Sequence, residues 1–197
     1  ESFGHSIEIV DRDVGDASSI VPRADVVVIS VPIDVTEAVI RRVAPLVRED
    51  ALIFDVTSLK GAPMKAMLAA TEASVVGTHP MFGPSLGTLQ GQRVVVCPGR
   101  GEAWLAWLEN SLRARGLVVT RSTPDAHDRE MGVVQMLNHF QTQVLGLTLA
   151  RLGSPLEQTL AFSSPAYLLE AYVTARHFAQ QPDLYGPIEM ENPRREE

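Results

Sequence analysis

The sequence predicts a doubly wound α/β domain with a mostly parallel sheet, followed by an all-helical domain. Three observations carry this. Six short β-branched runs alternate with helical patterns up to about residue 122, the order that builds βαβ units. The runs are apolar without polar alternation, as strands buried on both faces of a parallel sheet are. After residue 122 the strand signals stop and only helical patterns remain. The boundaries are therefore set at 1–121 for a Rossmann-type α/β domain and 122–197 for a helical domain.

The first run is IEIV (7–10), reached through SFGHS and followed by Asp11. It reads as the end of a first helix, then the second strand of the sheet, then an acidic residue at its tip. In dinucleotide-binding folds a carboxylate there accepts hydrogen bonds from the adenosine ribose and disfavours a 2′-phosphate, which points to NAD. A turn aspartate is the competing reading. No G-x-G-x-x-G turn stands in this chain, so the first domain is expected to be incomplete at its N-terminal end. The first strand would lie between runs 7–10 and 25–30. Those two are expected to pair directly, to accept a strand from a second copy, or to leave a gap.

DVVVIS (25–30) is the next strand and ends in Ser30-Val31-Pro32. Asp34 with Glu37 reads as a capping box before VTEAVIRRVAPLV. ALIFDV (51–56) runs into Thr57-Ser58-Leu59-Lys60-Gly61, and Pro63 suits the first turn of the helix PMKAMLAATE. ASVVG (73–77) leads to Thr78-His79-Pro80. RVVVC (93–97) and LVVT (117–120) flank a helix from Glu102 to Arg115 that stops at Gly116. Residues 124–153 read as one long helix ending at Gly153. SPLE (154–157) reads as a second capping box, and SSPAYLLEAYVTARHFAQQ (163–181) as a last helix that begins in the same way.

The formal net charge of −7 argues against a nucleic-acid protein, which needs a basic face. No apolar run approaches the roughly 18–20 residues of a membrane span, and the first residues lack the signature of a signal peptide. Cys97 is the single cysteine and lies in an apolar run, so it reads as a buried strand residue in a reducing, cytoplasmic protein.

Ligands of open α/β sheets bind outside the carboxyl ends of the strands. Three strand ends are distinctive there, with Ser30, Val31 and Pro32 at one, Ser58 at the next and His79 at the third. Pro80 drives the residue before it into an extended conformation. Met81 and Phe82 can wall off water, and Gly83 lets the loop turn. A histidine so placed can take a hydrogen bond or a proton near neutral pH. His127, in DAHDRE, stands among acidic residues that match a helix N-terminus more simply than a metal site. No metal is expected.

GTHPMFGPSLGTLQGQRVVVCPGR, with DVTSLKG before it and LNHFQTQVLGLTLA and SSPAYLLEAYVTARHFAQQPDLY after it, resembles the prephenate dehydrogenase family. The resemblance runs over nearly the whole chain and is nearest to the dehydrogenase domain of the bifunctional chorismate mutase–prephenate dehydrogenases. It implies an NAD-dependent oxidative decarboxylation of prephenate to 4-hydroxyphenylpyruvate, in tyrosine biosynthesis. The family's catalytic histidine falls on His79 and its serine near the nicotinamide on Ser58. The substrate-binding arginine falls on Arg176, and His139 falls at a cleft-facing position. Asp11, Ser30, Val31, Pro32 and Ser58 are the cofactor candidates. A homodimer is implied, with tyrosine as a candidate feedback inhibitor. His177 is expected to have a packing or surface role. Where the family often carries an acidic residue after HPMFGP, this chain has Ser85, and the helices that usually follow the position of Tyr185 are largely missing. Arogenate specificity, dual specificity, and an inactive domain binding a dinucleotide or tyrosine are the alternatives.

Overall fold

The computed structural model describes residues 4–83, 86–179 and 190–192. Pro84, Ser85, Pro182 and Tyr185 lie outside the described residues. The chain forms two compact units, Glu1–His127 and Asp128–Glu197.

The first unit carries a five-stranded sheet in the order β1 (Val26–Ile29), β2 (Leu52–Asp55), β3 (Ser74–Pro80), β4 (Arg93–Arg100) and β5 (Val118–Arg121). β1, β2 and β3 are mutually parallel, β4 runs antiparallel to β3, and β5 is parallel to β4. A short helix, α1 (Ala17–Ile20), precedes β1, and each parallel pairing follows a helical crossover, through α2 (Ile33–Val43), α3 (Gly61–Ala70) and α4 (Glu102–Ala114). Among the described residues no helix lies between β3 and β4, and a chain that returns without a crossover pairs antiparallel.

Successive strand residues face opposite sides. Ile53 and Val75 join one buried cluster with Ile40, Val43, Met64 and Met67 of α2 and α3. Their neighbours Leu52 and Val76 join another with Leu105 and Leu108 of α4. Both faces are covered, which explains why these strands show no polar alternation. At Gly77 a Cβ would stand 2.7 Å from Met64 Sδ, so glycine is what lets α3 lie close on β3. Glu109 of α4 is buried, bonded to Arg121 of β5 and to Arg113. These bonds, Arg121 foremost, hold its carboxyl below the usual carboxylate range. Cys97 is buried in β4 as expected.

Several expectations are corrected. IEIV (7–10) is not a strand. Its residues lie outside the sheet, with Ile7 67% and Ile9 71% exposed. Runs 7–10 and 26–29 do not pair, and β1 is bonded to β2 alone among the described residues. A strand forms only where a partner supplies its ladder bonds, whatever its propensity. Residues 11–14 instead close a tight turn, Asp11 N–H donating to Val14 O at 2.8 Å. The Asp34–Glu37 box does not form, since α2 begins at Ile33 with Pro32 at its cap and no side-chain bond there. SPLE likewise forms no box, because Pro155 caps α7 (Leu156–Ala161). The boundary fell two residues from the expected one in α2 and one residue from it in α7, and capping is a matter of single positions.

The second unit is helical: the rest of α5 (Pro124–Met131), then α6 (Asn138–Leu152), α7 and α8 (Pro165–Ala179). The long helix expected over 124–153 carries a π-helical turn at Gly132–Leu137, an i→i+5 insertion that hydrophobic periodicity does not announce. It ends at Gly153, whose φ of +63 suits glycine. Ser164 accepts the Tyr167 N–H at 3.2 Å and so caps α8. Among the described residues no helix is long and apolar enough to cross a membrane.

Candidate active site

Parallel packing brings the carboxyl ends of β1, β2 and β3 to one edge of the sheet. Ser30, exposed, follows β1 directly, and Val31 and Pro32 lead into α2. Ser58 is half-buried in the turn between β2 and α3. His79 belongs to β3 itself, opposite Val95 of β4, rather than to a loop beyond the strand. Pro80 ends the strand, and its demand for an extended predecessor is met by that pairing.

A buried polar cluster ties the second and third of these strand ends together. Asp55 and Lys60 are fully buried and form an ion pair. The Thr57 hydroxyl bonds to Asp55, and Lys60 Nζ donates to Thr57 Oγ1 at 3.2 Å. Lys60 Nζ also donates to the carbonyl of Thr78 at 2.7 Å, and the Thr78 hydroxyl to the carbonyl of Asp55 at 2.6 Å. Ser58 sits inside the loop that this cluster braces, and Thr78 is the residue before His79. The spacing Asp55-x-Thr57-x-x-Lys60 just past a strand was the available signal. Sequence reasoning used it only as a landmark.

His79 is 3% exposed and His127 1%. Nδ1 of His79 lies 2.9 Å from Nε2 of His127, with the rings edge to face at 5.1 Å. His127 enters from the first turn of α5, where its N–H bonds Thr123 O at 2.9 Å. The acidic surroundings of His127 do belong to a helix N-terminus, and the contact with His79 adds a partner that the sequence reading did not name. Nothing in the sequence links positions 48 residues apart. Among the described residues no group of three metal-ligating side chains converges.

The other candidates are carried by other elements. Asp11 is exposed in its turn, its Oδ1 accepting the Arg12 N–H at 2.7 Å, so it does not stand at a strand tip. His139 on α6 and Arg176 on α8 belong to the second unit. His139 is half-buried with its ring 5.5 Å from that of His177, and His177 is itself buried against Phe178. Burial, then the neighbouring His177 and Arg176, push the His139 pKa down to about 4. Burial also lowers that of His177. Arg176 is exposed near the end of α8.

Two family models match the chain: the prephenate dehydrogenase nucleotide-binding domain over residues 2–121 and the prephenate dehydrogenase dimerization domain over residues 123–196. The chain is 42% identical over 188 residues to the T-protein of Enterobacter agglomerans, covering 95% of this chain and 50% of that protein. It is 42% identical over 177 residues to a probable arogenate/prephenate dehydrogenase of Methanocaldococcus jannaschii, covering 87% and 40%. The chain thus spans about half the length of the curated relatives it matches, or less. Its fold is similar to the crystal structure of prephenate dehydrogenase from A. aeolicus in complex with hydroxyphenyl propionate and NAD+. The TM-score is 0.72 at 23% identity, covering 89% of this chain and 63% of that one.

Proposed function

The chain belongs to the prephenate dehydrogenase family, and on that premise we propose that the full-length protein oxidises and decarboxylates prephenate to 4-hydroxyphenylpyruvate. The observation that carries this reading is the buried His79 at the end of β3, beside a braced loop that carries Ser58. NAD supplies the hydride acceptor. Ser30, Val31, Pro32 and Ser58 would hold it at the carboxyl ends of β1 and β2, with Asp11 the remaining candidate for the ribose. The residues present suit that end of the ligand. Ser30 is exposed, Ser58 offers a half-buried hydroxyl, and no side chain caps the first turn of α2 beside them.

His79 accepts the hydrogen bond of the C4 hydroxyl. As the hydride leaves C4, the C1–carboxylate bond breaks, CO2 departs, and its electron pair completes the aromatic ring. The hydroxyl proton taken up by His79 returns to the phenolic oxygen. Aromatisation drives the step, so the protein's work is alignment and one proton acceptor. Arg176 holds a substrate carboxylate, for which a guanidinium fork is suited, and His139 contributes a further substrate contact. The protein works as a cytoplasmic homodimer.

A second reading, arogenate in place of prephenate, is favoured by the name of the M. jannaschii relative, which covers both. The test is NADH formation by the full-length protein with each substrate. Turnover of prephenate with weak turnover of arogenate is expected. The reverse preference would favour the second reading. Binding of NAD or tyrosine with turnover of neither would make the protein a regulatory module.

A further inference from the structure

We infer that His127 is a positioning residue that fixes the ring tautomer of His79, an inference that rests on the proposed role of His79 as proton acceptor. The geometry assigns the two ends of the His79 ring different tasks. Nδ1 is engaged by Nε2 of His127 at 2.9 Å in a nearly water-free setting. Work on a substrate hydroxyl therefore falls to Nε2 of His79. A neutral imidazole carries one proton, on one nitrogen only. To accept at Nε2, His79 must hold its proton on Nδ1 and donate it to His127. His127 in turn must present a lone pair at Nε2 and carry its own proton on Nδ1. The opposite arrangement puts an N–H on Nε2 of His79, and that nitrogen could then only donate.

His127 is well placed to enforce the choice. It is fixed at the start of α5 by its backbone bond to Thr123 and shielded from water. The hydrogen bond made by one ring nitrogen decides what the other can do. With His127 as the acceptor, the bond between the two rings is made by the Nδ1 proton of His79.

The test uses the full-length protein and three measurements. Nitrogen-15 spectra of the histidine rings should show the His79 proton on Nδ1. In His127→Leu the acceptor is gone and the proton should move to Nε2. That variant's kcat should fall by about 10–100-fold, the usual cost of losing an orienting partner behind a working group, with KM and NAD affinity unchanged. His127→Gln places an amide oxygen where Nε2 stood and should restore most of kcat and the Nδ1 proton. A wild-type proton on Nε2, or a Gln variant as impaired as the Leu variant, would overturn the inference. The wild-type spectrum and the Gln variant keep it testable if the Leu variant does not fold. The spectra need no substrate. They decide the positioning role even if neither prephenate nor arogenate is turned over, an outcome that would count against the functional reading instead.

Discussion

His79, Arg176 and His139 are three polar residues with different electrostatic settings, and each setting predicts a different kinetic or thermodynamic signature. His79 is buried and bonded, and it is the proposed proton acceptor. His79→Asn should lower kcat by roughly 10²–10⁴-fold, the range for a group acting on a proton in the transition state, with little change in substrate affinity. Near-wild-type turnover would remove it from the mechanism. Arg176 is exposed near the end of α8 and is proposed to hold a substrate carboxylate through charge. Arg176→Ala should raise KM and spare kcat, because that contact is present before and during reaction. Unchanged KM with lost kcat would contradict the role. His139 titrates at about 4 rather than 6.5. Between those values the unfolded chain binds more protons than the folded one. Stability therefore rises with pH and is lost as pH falls from about 6.5 toward 4. Melting temperatures over that window should drop less steeply in His139→Gln than in the wild type, and equal slopes would count against the assignment.

At the scale of elements, the fold places its chemistry by bracing strand ends. The Asp55–Lys60 pair has no water to screen it and binds the turn after β2 to the carbonyl before His79. Removing one partner of such a pair leaves a buried charge. Lys60→Met should cost about 3–5 kcal/mol in denaturant unfolding. Adding Asp55→Asn to it should recover part of that loss. A single-variant loss below about 1 kcal/mol, within the range of ordinary substitutions, would show that the pair is not a brace. The antiparallel pairing of β3 with β4 has a similar effect. It extends the strand to Pro80, so that His79 sits in hydrogen-bonded backbone rather than in a loop.

For the whole molecule, the two units bury their apolar residues differently. The first has two clusters, one on each face of the sheet. The second leaves Leu147, Leu152, Leu169, Tyr172 and Phe178 exposed on α6 and α8. Apolar surface on this scale marks an interaction site, and the matching family model is described as a dimerization domain. The full-length protein is expected to be a dimer by light scattering at micromolar concentration. A monodisperse monomer would reject that assembly.

The primary structure by itself determined the α/β class, the order of strands 26–29, 52–55, 74–80, 93–100 and 118–121, and the change to helices after residue 122. It could do so because two-sided burial, helix periodicity and glycine stops are local signals. It also singled out His79 and Ser58 at strand ends, since strand direction follows from chain order. Local signals misjudged IEIV, because propensity does not supply a pairing partner. They misplaced the caps of α2 and α7, where a shift of one or two residues changes which side chain stands at the boundary. Tertiary structure alone decided that His127 meets His79, that Lys60 reaches the carbonyl of Thr78, and that the His139 ring lies against that of His177. Each of these contacts joins residues at least 18 positions apart, and such meetings are set by how strands and helices pack. No residue's immediate neighbours in sequence encode them.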